Sequence, residues 1–193
     1  MHGLAFALFF AGHLAHFEGN YAEVDRLASD LIELSTRQNF ALWLVLGAIL
    51  RGWARSTLGE AAEGILWIQE GIQDNRIAGT IINLPLFLAL KAETLMRADR
   101  IAEALEAIKE AGAMAERTGE RYWHAELHRL RGVFLTAMGA DETEIEASFC
   151  EAIRIAKEQK SVSLAKRAEA TCAEYRRQKA TGSGGRGFRL PLW

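Results

Sequence analysis

Residues 52–71, GWARSTLGEAAEGILWIQEG, hold the arrangement that decides the fold. Gly52, a small residue, is followed seven positions later by Gly59, and then by Gly64, Ile68 and Gly71 at five, nine and twelve beyond Gly59. This is the spacing of two helices joined by a tight turn. Gly at the turn takes the left-handed backbone that ends the first helix, and the small or apolar positions after it lie on one face of the second.

Stepping 40 residues in either direction finds the same arrangement. Gly12, Gly52, Ala92 and Gly132 form the small column, and Gly19, Gly59, Asp99 and Gly139 the turn column. Val24, Gly64 and Ala104 continue to Ile145 once a single extra residue is allowed in the Ala140–Thr143 loop. Ala28, Ile68, Ile108 and Phe149 make a fourth column, and Leu31, Gly71, Ala111 and Ala152 a fifth. Self-similarity at a fixed period is the mark of a repeat architecture, in which each unit buries its apolar face against its neighbours. A Gly in mid-helix costs about 1 kcal/mol against Ala, so three in one column imply close helix packing. Short loops make the paired helices antiparallel.

These columns resemble the tetratricopeptide repeat over about residues 1–160. The likeness implies an all-α, right-handed superhelix of helical hairpins. The period is 40 where that family's is about 34, the family's early Trp is missing, and no Pro closes the repeats. Two stretches, ILRGWARSTLGEAAEGI (49–65) and ERTGERYWHAELHRLRGVFL (116–135), look like the C-terminal repeat region of large bacterial regulators that join a nucleotide cyclase or DNA-binding domain to a STAND-type ATPase. No cyclase or ATPase motif is present, so the likeness implies a helical segment of a regulator and no activity.

The expected helices are 3–17, 21–37, 40–57, 60–75, 84–97, 100–117, 121–138, 142–159 and a basic closing helix at 163–178. They make one repeat domain over 1–178, with hairpins at 3–38, 40–78, 84–118 and 121–160, a cap at 163–178, and a flexible tail at 179–193. Asn39, Asn83 (followed by Pro85) and Asp141 (with Glu144) are the expected N-caps.

Composition narrows the function. Half of the 193 residues are hydrophobic and the net charge is −2, so there is neither a disordered chain nor a general attraction for nucleic acid. Cys150 and Cys172, far apart in sequence, read as free thiols of a reducing cytosol. The opening HGLAFALFFAGHLAHF is too short to span a membrane, has no Lys/Arg n-region and carries His13 and His16 within it. A cytoplasmic protein without membrane segments is the expectation.

Candidate chemistry is sparse. His124 and His128 lie four apart with Glu126 between them, but HAELH lacks the order of a zinc hydrolase and a third ligand, so no metal is expected. GSGGRG (182–187) satisfies G-x-G-x-x-G literally, yet no strand precedes it and only FRLPLW comes after it; it reads as linker. No catalytic residues and no cofactor are predicted. The expected function is a non-catalytic protein-interaction module of a signalling or transcriptional regulator; the alternative is a small-molecule effector sensor using Trp53, His13 and Glu93.

The repeat implies two surfaces. If the first helix of each hairpin lines a concave wall, a groove for a peptide would present Phe9, His13 and His16; Ile49, Trp53 and Ser56; Ala89, Glu93 and Met96; and Arg129, Val133 and Thr136. The first helix is apolar nearly all round, so its outer residues, Phe6, Phe10 and Leu14, must also be covered. A second copy of the chain is the preferred partner there, with docking to an upstream repeat or domain and cover by the C-terminal tail as the other choices.

Overall fold

The computed structural model describes residues 1–181. Among the described residues there are nine α-helices, one 3-10 turn and no strand, so the fold is all-α. The helices are α1 (His2–Phe17), α2 (Tyr21–Gln38), α3 (Ala41–Thr57), α4 (Ala61–Ile77), α5 (Leu84–Arg97), α6 (Ile101–Thr118), α7 (His124–Met138), α8 (Glu142–Glu158) and α9 (Val162–Ala180). The 3-10 turn, Arg121–Trp123, leads into α7. The tail segments GSGGRG and FRLPLW lie outside the described residues.

The described residues divide into two compact units, 1–99 with α1–α5 and 100–181 with α6–α9. In the first unit each helix packs on the next, and the odd-numbered helices also touch, α1 with α3 and α3 with α5. The second unit obeys the same rule, with α6, α7, α8 and α9 packed in order and α7 touching α9. The division falls at the Asp99 turn, within the stretch 84–118 that reads as one hairpin in the sequence.

The columns have the physical basis the spacing implies. Gly19, Gly59, Asp99 and Gly139 are all left-handed, with φ of 68°, 101°, 60° and 68°. A second left-handed set, Asn39, Gly79, Gly119 and Lys160, keeps the same period, with the one extra residue of the fourth hairpin before Lys160, and ends each even-numbered helix. Asn39 is thus the left-handed residue after α2 and not the N-cap of α3, a position taken by Phe40. Asp141 does cap α8, accepting from the Thr143 N–H at 2.8 Å, but Glu144 turns away to pair with Arg131.

All residues of the small column and of the three helix columns are buried. In the second hairpin the backbones nearly touch: a Cβ on Gly64 would lie 2.3 Å from the Gly52 carbonyl oxygen. In the fourth hairpin the Phe149 ring occupies the space over Gly132, 2.6 Å from where a Cβ would stand. Packing, rather than helix propensity, therefore accounts for these glycines. α9 buries Ala168, Thr171, Cys172 and Tyr175 and turns Arg176 and Lys179 outward, where Arg176 meets Glu146 and Lys179 meets Glu142.

Candidate binding surfaces

The repeat stacks equivalent positions of the odd helices on one another. In the first unit this brings Trp53 of α3 to Glu93 of α5, 40 residues on, and the indole N–H donates to Glu93 Oε2 at 2.8 Å. His16 Nε2 of α1 lies 3.5 Å from Glu93 Oε1, and its ring meets Trp53 edge-on at 4.5 Å. Arg97, one turn beyond Glu93, places Nη2 at 3.7 Å from Oε2, with its guanidinium 5.4 Å from the Trp53 ring. The Ser56 and Thr94 hydroxyls meet at 3.3 Å beside them.

Burial alone would raise the Glu93 carboxyl. Its neighbours His16, Arg97 and the Trp53 N–H outweigh that and hold it below the ordinary carboxylate range. His13 has the opposite balance: burial, with His16 beside it, lowers its imidazole to about 3, so it is neutral at physiological pH. A charge as deeply placed as Glu93 is tolerated because several donors converge on it.

The second unit has its own buried ion pair. Arg129 donates twice to Glu126, Nε at 2.9 Å and Nη2 at 2.7 Å, and reaches the Thr171 hydroxyl of α9 at 3.4 Å. Arg167 of α9 adds a further cation 3.5 Å from Glu126.

The residues expected to line an open groove are therefore placed differently. Phe9, His13, His16, Ile49, Trp53, Ser56, Ala89, Glu93, Arg129, Val133 and Thr136 are all buried, and Met96 is half-buried. They form the packing within each unit. The odd helices stack closely enough that the column facing a neighbour and the column thought to face solvent are the same.

Exposure is concentrated elsewhere. On α1, Phe6, Phe10 and Leu14 are 54%, 47% and 61% exposed, and the two Phe rings lie 4.4 Å apart. At the same register on α3 stand Leu46, Leu50 and Ala54, and on α5 Leu86, Leu90 and Thr94, all of them buried. The neighbouring register on α3 receives α2, with Gly47 set against Ile32 and Leu31, and Leu50 is the side chain that fills the space over Gly12 of α1. The same face seats other helices on α3 and lies open on α1.

A cleft of about 480 Å³ in the second unit was not anticipated from the sequence. Leu105, Ile108 and Gly112 of α6 face Leu127, His128 and Leu135 of α7 across it, with Lys109, Arg131 and Glu144 among its other lining residues. Burial lowers the His128 imidazole. The sequence signal was Gly112, a helical Gly outside the repeat columns, at which a Cβ meets nothing within 4 Å. His124, by contrast, points to Glu116 at 3.4 Å. Among the described residues no three His, Cys, Asp or Glu side chains gather as metal ligands, and no helix is long and apolar enough to cross a membrane.

No family model matches the chain, and no solved structure matches it. Over 160 residues, 83% of the chain, it is 27% identical to an uncharacterized protein of Rhizobium meliloti. The chain spans 16% of the length of that relative.

Proposed function

We propose that this chain is a non-catalytic protein-interaction module, a tetratricopeptide-like helical repeat serving a cytoplasmic signalling or transcriptional regulator. The observation that carries the reading is the open apolar face of α1, at positions that bind helices on α3 and α5. Leaving two Phe and a Leu in water forgoes about 2 kcal/mol for each, which favours a partner over solvent. The Rhizobium relative supports it in a further way, since the likeness is confined to a small part of a much longer chain. The test is capture from an extract of source cells on immobilised wild-type, Phe10→Glu and Leu105→Glu proteins. A protein retained in stoichiometric amount by the wild type and lost with either variant supports the reading. Identical sets of retained proteins on all three refute it.

The cleft favours a second reading, a domain that senses a small-molecule effector, because its volume lies within the range of small-ligand sites. Screening metabolites by thermal shift decides this. A saturable rise in Tm that a His128→Ala protein lacks would support the sensor, and no such ligand would remove it.

A further inference from the structure

We propose that the open face of α1 seats the α1 of a second copy of this chain, antiparallel and two-fold related, with Phe6 on the partner's Ala11, Phe10 on the partner's Ala7 and Leu14 on the partner's Gly3. The exposed face carries two rows at helical spacing, large residues at Phe6, Phe10 and Leu14 and small ones at Gly3, Ala7 and Ala11. Rows spaced four apart are the ridges and grooves by which helices interlock. A two-fold axis passing beside the Leu8–Phe9 peptide exchanges position 6 with 11, 10 with 7 and 14 with 3. Every large side chain is then opposite a small one, and the ridge of each copy fills the groove of the other. A two-fold contact uses one patch twice, so the patch must complement itself. α1 contains no Asp, Glu, Lys or Arg, and no like charges meet across the axis.

These positions also set α1 apart from the faces that stack inside the chain. Where α3 and α5 have Leu46 and Leu86, Leu50 and Leu90, and Ala54 and Thr94, α1 has the bulkier Phe6, Phe10 and Leu14. Where they have Arg51 and Lys91, α1 has Ala11. A larger ridge, with a small residue in place of a cation at position 11, suits self-pairing rather than one more hairpin stacked in register.

The dimer rests on the interaction reading above but is tested separately, by sedimentation of the purified full chain from micromolar to millimolar concentration. The wild type is expected to pass from 21.4 kDa to twice that mass. Ala7→Glu and Phe10→Lys, each checked for native helicity by circular dichroism, are expected to stay monomeric alone. Mixed, they should form a heterodimer, because one contact becomes a Glu–Lys pair and the other keeps the native Phe10 on Ala7. Leu14→Ser, a milder change at an exposed site, should weaken association at least about tenfold. A wild type that stays monomeric throughout overturns the proposal, whatever the capture experiment finds. A wild-type dimer that Ala7→Glu, Phe10→Lys and Leu14→Ser leave intact overturns it too, as does a mixture of the two charged variants that fails to associate.

Discussion

Replacing Gly64 by Ala probes the close approach of α3 and α4. The added Cβ would stand 2.3 Å from the Gly52 carbonyl oxygen and 3.1 Å from Ser56 Cβ. The first of these atoms is backbone and cannot rotate away, so α3 and α4 must move apart and loosen the contacts that Ile68 and Trp67 make with Gly52. Overpacking of this kind costs about 1–3 kcal/mol, more when the backbone shifts. Ala gains back about 1 kcal/mol of helix propensity. With the overpacking cost at its upper end, about 3 kcal/mol, because the clash is with backbone, the net expectation is a loss of about 2 kcal/mol, a fall in Tm of about 4–8 °C for a chain of this size. Gly112→Ala is the matched control. It makes the same propensity change on α6 at a position with nothing within 4 Å, and should stabilise by up to about 1 kcal/mol. Urea unfolding of both variants, monitored by far-ultraviolet circular dichroism, measures the pair. If Gly64→Ala proves as stabilising as Gly112→Ala, the glycines of the repeat columns do not mark close helix approach, and the physical basis of the repeat is lost.

Trp53→Phe removes the indole N–H that donates to Glu93 Oε2 while keeping an aromatic ring, and should cost about 2–3 kcal/mol in urea unfolding, since hydrogen bonds to buried charge are the strong ones. Arg129→Met deprives the buried Glu126 of its two-pronged partner and should cost about 3–5 kcal/mol; the double variant Glu126→Leu with Arg129→Met should recover most of it, as a thermodynamic cycle would show. His13 supplies the pH dependence. Its imidazole binds a proton near 6.5 when unfolded but only near 3 when folded, so protons favour the unfolded chain between those values. Stability should therefore rise with pH through that window, by at most about 1.4 kcal/mol per pH unit from this group, and a His13→Gln protein should show a shallower slope in denaturant titrations at pH 4, 5 and 6.

The helices were legible because their signals are local. A left-handed turn needs Gly, Asn or Asp at one position, and a close helix contact needs a small residue at another; both leave a period of 40 that can be counted. The second left-handed column was harder to see because it ends in Lys160, a residue with no special ease in that conformation, after Asn39, Gly79 and Gly119 had set the pattern. Burial of the expected groove was not legible at all. His13, Trp53 and Glu93 share a register, and register says which residues are equivalent without saying whether a neighbouring helix or water lies in front of them. Glu93 did carry a clue: it stands in LPLFLALKAETLM, a run apolar but for Lys91, Glu93 and Thr94, in which a buried carboxylate needs donors close by.

Register and environment also part company on α1. The ridge residues of α3 and α5 must fit the preceding odd helix of the stack, α1 and α3 respectively, and that constraint keeps Leu at two of the three ridge positions. Phe6, whose ring meets Trp43 of α3 edge-on at 6.3 Å, and Phe10 and Leu14 are each about half exposed, so their size is less bound by the register. It can record whatever does bind there. Ridge and row on α1 change together at most positions: the ridge is large where the other helices have Leu, Ala or Thr, and the row is small at Gly3 and Ala11, where they have Trp or Asn and Arg or Lys, while Ala7 stands where α3 has Gly47 and α5 Phe87. A face left to solvent has no reason to change in this coupled way, since bulkier exposed rings add only unfavourable hydration. Coupled changes of opposite sense on two adjacent rows are what mutual interlocking requires, which makes the size of the side chains, more than their exposure, the argument for a partner of matching shape.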